Sequence, residues 1–167
     1  VFGGSLAVLL EKGPSEVEVV NDLDKELINF LLVIRAAGSD EIILKRLEQL
    51  CRDTPMSREI FESWWREVRK GWRFLDPVDR AARWFFLKCC AVNSKGGWMH
   101  SPTLNKALLW QQHVNILRKA TDRLKQVQIE SRDFVYIIKH YDRPEVNFYE
   151  APPYLGVKGA DTEYYKG

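Results

Sequence analysis

Two hydrophobic periods alternate along this chain, and the boundaries between them limit its fold more than any other feature. Near the start, Glu16-Val17-Glu18-Val19-Val20 alternates as a strand does. Residues 25–37 then carry Leu27, Ile28, Leu31 and Ile34 at helical spacing, stopped by Gly38. From residue 39 to about 124 strand character disappears. Helices are predicted over residues 39–51 behind a Ser39 cap, 57–70 behind Ser57, 76–92 and 102–124. Asp76-Pro77-Val78-Asp79 is the strongest of these starts, with a cap, a first-turn proline and an acid at the third position. Residues 93–97 read as a flexible loop. Strand pattern returns at Val127-Gln128-Ile129-Glu130, followed by a short helix over 135–140 and a strand over 146–150. At the opening, Phe2-Gly3-Gly4-Ser5 reads as a strand end and glycine turn leading into a short helix over 6–11, which Gly13-Pro14 breaks. Sheet-forming segments on both sides of a helix-only stretch predict an open α/β sheet with an all-helical insertion. The expected division is 1–38 and 125–167 for the sheet-forming core and 39–124 for the insertion.

Charge follows the same division. Residues 51–125 hold 15 Lys/Arg against 7 Asp/Glu, a balance of +8, while the remainder holds 10 against 16, a balance of −6. A basic module between acidic flanks suits a polyanionic partner; a solvated helical surface with segregated charges is the plainer alternative. Three cysteines, two of them adjacent (Cys89-Cys90), argue against a disulfide framework and for a reducing compartment. No Cys or His pair has zinc spacing, and the scattered His100, His113 and His140 suggest no hydrolytic triad. No apolar run approaches the roughly 20 residues that span a bilayer, and no signal peptide is visible. The start on Val1 without an initiator methionine reads as a fragment whose first strand has been cut.

In an open α/β sheet, ligands gather beyond the carboxyl ends of the strands. Four motifs fall there. The Gly3-Gly4 turn would let a ligand approach the backbone. Asp22 can accept both hydroxyls of a ribose, or serve the helix that begins near Asp24. Asp133-Phe134 can accept an amine and stack on its ring, or cap a helix beside a buried aromatic. In Ala151-Pro152-Pro153-Tyr154 two locked φ angles and two missing backbone donors make a stiff platform that ends a strand.

Phe2-Gly3-Gly4-Ser5, Asn21-Asp22-Leu23-Asp24, Asp79-Arg80-Ala81-Ala82-Arg83, Ser131-Arg132-Asp133-Phe134 and Pro152-Pro153-Tyr154 occur in the order found in the Dam-type adenine-specific DNA methyltransferases, which the chain resembles over most of its length. The resemblance implies a Rossmann-like core with an inserted helical target-recognition module. It implies S-adenosyl-L-methionine as methyl donor, double-stranded DNA containing adenine as partner, and no metal. It further implies a bacterial or phage protein working in the cytoplasm, of the kind found in restriction-modification. By the same analogy Phe2, Gly3 and Gly4 line the donor, Asp22 holds its ribose, and Asp133 with Phe134 holds its adenine. Tyr154 would stack on a flipped target base and the Pro152 carbonyl would accept one amine hydrogen. Ala151 stands where the family carries an Asp that accepts the other, which weighs against full activity. The alternative is a catalytically inactive DNA- or nucleotide-binding module of the same fold. In the insertion, Arg66, Arg69, Lys70, Arg73, Lys95, Arg118 and Lys119 are candidate phosphate contacts. Trp98, in the glycine loop, can stack on a base or wedge into a step. Trp64, Trp65 and Trp84 are expected in the core of the helical part.

Overall fold

The computed structural model describes residues 6–72, 76–92 and 96–150. In chain order these form α1 (Ala7–Glu11), β1 (Val19–Asn21), α2 (Lys25–Ala37), α3 (Glu41–Asp53), α4 (Arg58–Arg69), α5 (Pro77–Cys90), β2 (Ala91–Val92), β3 (Gly97–Trp98), α6 (Lys106–Leu124), β4 (Gln128–Glu130) and α7 (Phe134–Tyr141). They belong to two compact units: Val1–Ile28 with Gln126–Gly167, and Asn29–Lys125. The division falls within α2.

The first unit is built on a parallel pair. β1 and β4 lie side by side with Val19 opposite Gln128, Val20 opposite Ile129 and Asn21 opposite Glu130. The ladder extends at both ends, through Gln128 N–H to the Glu18 carbonyl (2.8 Å) and Asp22 N–H to the Glu130 carbonyl (3.3 Å). Val20, Val127 and Ile137 are buried, as is the Glu18 carboxylate, which pairs with Lys12. Lys12 also donates to the Ser15 hydroxyl (2.9 Å) and the Gly13 carbonyl (3.2 Å), folding the segment after α1 toward the start of the strand. Residues 146–150, expected as a strand, form none: they have no ladder partner among the described residues and are exposed. A turn bond from Val146 N–H to the Arg143 carbonyl (3.0 Å) bends the chain just before them. Alternation at Val146 and Phe148 cannot define a strand without a neighbour to pair with.

The second unit is a helical bundle in which Phe61, Trp72, Phe86 and Trp110 are buried, whereas Trp64, Trp65 and Trp84, expected in its core, are only half-buried around them. Leu44, Leu47 and Cys51 bury one stripe of α3, which packs on α5 and α6. Phe86 takes the edges of two indoles, Trp64 at 5.4 Å and Trp110 at 5.3 Å between ring centroids. Phe30 stacks against Phe85 and tilts against Trp84, at 5.3 and 5.1 Å. Trp110 keeps its indole N–H satisfied in the core by donating to the Thr54 carbonyl at 3.0 Å. Trp65 stacks on Phe61 at 5.8 Å. Gly38 ends α2 at a point where a Cβ would lie 2.8 Å from the Thr121 carbonyl oxygen, so a side chain there would force α6 away.

Three helix boundaries differ from the sequence expectation. Asp40, not Ser39, caps α3: its carboxylate accepts the Ile42 N–H at 2.8 Å. Ser39 is taken up in ending the previous helix, its N–H bonded to the Ala36 carbonyl. Helix α6 starts at Lys106 rather than near Pro102. Ser101 first holds a turn by accepting from Leu104 N–H (3.1 Å), and Asn105 then caps the helix through Leu108 N–H (3.0 Å). Helix α5 ends at Cys90, and the stretch after it is an antiparallel hairpin of β2 and β3, with Ala91 opposite Trp98 and Val92 opposite Gly97. The Cys90 carbonyl, free to bond outside the helix, accepts the Met99 N–H at 2.8 Å. The middle of the chain is therefore not purely helical, and Trp98 stands on a strand rather than in a loop.

Candidate functional site

Sequence reasoning put ligand-binding groups at strand ends, and the first unit has two such ends side by side. Asn21, the last residue of β1, is 3% exposed. Its amide donates to the Arg132 carbonyl (2.9 Å) and accepts from the Arg132 N–H (2.8 Å). The side chain thus imitates one more ladder step and clamps the chain leaving β4 to the end of β1. Lys25 adds a second tie from the start of α2, donating to the Ser131 hydroxyl at 2.7 Å. One residue beyond each clamped position lie Asp22 and Asp133, the two acids the sequence singled out. Asn21 itself was not among the candidates. Its signal was present, since an Asn following two valines in a strand is out of place unless its amide is used.

Asp22 is buried, at 5% exposure, and its Oδ1 accepts the Asp24 N–H at 2.9 Å. It is not the helix cap. Asp24 is, accepting from Glu26 N–H (2.9 Å) and Leu27 N–H (3.2 Å). Asp133 does cap a helix: its Oδ1 takes the Val135 N–H at 2.9 Å and starts α7. Its second oxygen has no hydrogen bond among the described residues, and the carboxylate is exposed. Phe134 is 41% exposed, not the buried aromatic of the plainer alternative. Along α7, Arg132 lies over the Tyr136 ring at 5.9 Å and Tyr136 stacks on His140 at 5.8 Å.

Phe2, Gly3, Gly4, Ala151, Pro152, Pro153 and Tyr154 lie outside the described residues, as do Arg73 and Lys95. In the helical unit Arg66 and Arg69 occupy the last turn of α4 with Lys70 as its C-cap, and all three are exposed. Arg66 Nε is bonded to the Glu62 carbonyl at 3.2 Å. Lys119 is exposed on α6. Arg118 beside it is committed to acids: two bonds of 3.2 Å reach Glu41, and Glu48 lies at 3.5 Å. That hydrogen bonding holds the Glu41 carboxyl below the usual carboxylate range. Trp98 is half-buried, edge-on to Phe61 at 5.4 Å. A second charged cluster went unnoticed in the sequence. Arg46 bridges Asp76 (2.5 Å) and Asp79 (3.1 Å) at the start of α5. Hydrogen bonding with Asp79 holds Asp76 at about 2, while hydrogen bonding to Asp76, burial and the Asp76 charge push Asp79 the other way.

Among the described residues no group of three or more His, Cys, Asp or Glu is arranged to hold a metal ion. No helix among them is long and apolar enough to cross a membrane.

Carboxylates at adjacent parallel strand ends, with a basic helical unit in the same chain, suit a protein that handles a nucleoside-like ligand and a nucleic acid. Comparison with known families is more specific: the model of the D12 class N6 adenine-specific DNA methyltransferases matches residues 1–167. The chain belongs to that family and is an adenine-specific DNA methyltransferase by membership. No curated protein and no solved structure matches it.

Proposed function

We propose that the chain carries the methyl-transfer half-site and the DNA-recognition module of an enzyme that methylates the exocyclic amine of a flipped adenine. The family match over residues 1–167 carries this reading. The sheet-forming segments would be part of a Rossmann-like core, with residues 39–124 as the inserted recognition module. S-adenosyl-L-methionine supplies the electrophilic methyl group. The residues present suit it chemically. A ribose diol offers two O–H donors, and the buried Asp22 carboxylate at a strand end is an acceptor for them. An adenine amine is a donor, and Asp133 keeps one oxygen for it beyond the bond it makes to Val135. Phe134 supplies a ring at the neighbouring position. Phe2, Gly3 and Gly4 are assigned to the same ligand on the motif alone.

The target base must leave its stack, at a cost of a few kcal/mol. Tyr154 is assigned to stack on it and the Pro152 carbonyl to accept one amine hydrogen, with Pro153 stiffening the platform. Two acceptors on the amine would turn its lone pair toward the methyl group. Ala151 removes the second. One specific observation therefore favours the alternative, a catalytically inactive binding module: alanine occupies the position of the family's Asp. Tritiated methyl transfer to adenine-containing duplex DNA separates the two. Ala151→Asp is expected to raise the rate by about 10²-fold or more, the scale of one preorganised polar contact. Equal rates for the two forms would remove the platform from the mechanism.

A further inference from the structure

Asn21 is a buried amide that bonds through both of its polar ends to the backbone of one residue 111 positions away, Arg132. The ladder between β1 and β4 already ends nearby, at Asp22 N–H to the Glu130 carbonyl, a long 3.3 Å. Beyond that point, backbone pairing no longer sets the separation of the two chains. Asn21 takes over this task, and it does so immediately before the two acids assigned to the donor. The Lys25 hydrogen bond to the Ser131 hydroxyl lies at the surface, where water competes for both groups, and is weaker by nature.

We propose that Asn21 is a positioning residue for methyl-donor binding: by clamping Arg132 to the end of β1 it sets the spacing between the Asp22 and Asp133 carboxylates. The proposal rests on the donor-site reading above. An amide suits the task because it needs one donor and one acceptor at once, and Asn and Gln offer both from one planar group at every pH. Gln is a methylene longer and would push the chains apart. Aspartate has the right shape, but its ionised form accepts only, so it keeps the Arg132 N–H and turns a second oxygen toward the Arg132 carbonyl. Protonated, it regains the donor–acceptor pattern of the amide. Burial and the facing carbonyl favour that protonated form and raise its pKa. Asp22, Lys25, Glu130, Arg132 and Asp133 are the charged groups at these two strand ends, and comparison with the unmutated chain at each pH removes the part of the pH dependence that both proteins share.

The test is calorimetric titration of the full chain with S-adenosyl-L-methionine, with thermal melting alongside to confirm that each variant is folded. Asn21→Ala is expected to weaken binding about tenfold, the scale of one to two hydrogen bonds. Asn21→Asp should be comparably weak near pH 8 and recover most of the loss, relative to the unmutated chain, near about pH 5.5. A residue that only stabilises the fold would shift the melting temperature and leave the affinity of folded protein, and its pH dependence, unchanged. Asp22→Ala serves to separate the two levels of inference. If Asp22→Ala abolishes binding while both Asn21 variants bind like the unmutated chain, the clamp is wrong and the donor site stands. If Asn21→Asp stays weak at both pH values, the two-bond pattern is wrong. If Asp22→Ala binds normally, or the unmutated chain binds no donor, the donor-site reading fails and takes the clamp with it.

Discussion

Asp133 has two tasks that a pair of substitutions separates. Its Oδ1 caps α7 and its other oxygen is the one assigned to the donor's amine. Serine caps a helix nearly as well as aspartate, whereas alanine does not. Asp133→Ser should therefore hold stability within a few tenths of a kcal/mol while losing donor affinity, and Asp133→Ala should lose both, with a stability cost of about 1 kcal/mol. Denaturant melts beside donor titrations check this, and unchanged affinity in both variants would free Asp133 from the site. The cysteines show the reverse case, a residue type with chemistry available to it but withheld by burial. Cys51 and Cys90 are 0% and 1% exposed, and burial pushes each thiol from its ordinary 9.0 up to about 12. Since the folded pKa is raised, the stability linked to each thiol is fully present below pH 9.0 and is lost as pH rises toward about 12. Thiol-reagent labelling near neutral pH should accordingly follow the rate of unfolding. Fast labelling of Cys51 or Cys90 in folded protein, told apart from the half-buried Cys89 by peptide mapping, would contradict the burial.

The hairpin after α5 shows what helical periodicity hides at the scale of an element. Residues 76–92 read as one helix because the apolar spacing runs on through Val92. The chain leaves the helix at Cys90 because a partner strand is available to Ala91 and Val92, a tertiary fact with no local signature. What the sequence does carry is the glycine that permits the return. Gly96 has φ +109°, and a Cβ there would lie 2.6 Å from Cζ2 of Trp65. Gly96→Ala should cost on the order of 1–3 kcal/mol. Gly97→Ala, whose Cβ would meet only Val92 at 3.8 Å, should cost much less. Equal denaturation midpoints for the two would mean that the indole is not what holds the hairpin. The helices declared themselves more openly: α2 and the starts of α4 and α5 fall where Gly38, Ser57 and Asp76-Pro77 put them. Asp22 and Asp133 were likewise readable as strand-end acids, since the strands before them alternate. Asn21 left only the mark of an Asn after two valines, and its partner 111 residues away becomes visible only when both strands are in place.

At the scale of the whole molecule, the charge separation between residues 51–125 and the rest is a sequence property that the structure refines residue by residue. A formal balance of +8 overstates the cations available to phosphate, because nearby acids engage several of them. Within 51–125 Arg118 is held by Glu41 and Glu48, Arg83 by Glu67, and Lys125 by Asp122 three residues before it. Arg69, Lys70 and Lys119 are exposed and are the better candidates. Each phosphate neutralised by a released cation steepens the dependence of log affinity on log salt by about 0.9. Removing a cation already paired within the protein should change that slope little. Lys119→Gln should thus lower the slope for duplex DNA by about one and weaken binding alike on all sequences. Arg118→Gln should leave the slope nearly unaltered, although the two residues are neighbours on α6. Glu41→Gln should have the opposite effect, partly freeing Arg118, steepening the slope and tightening binding at low salt. If Lys119 and Arg118 substitutions flatten the slope equally, the Glu41 pair opens on DNA and formal charge, rather than the paired structure, governs the affinity. If neither changes it, the phosphate surface lies on another face of the helical unit.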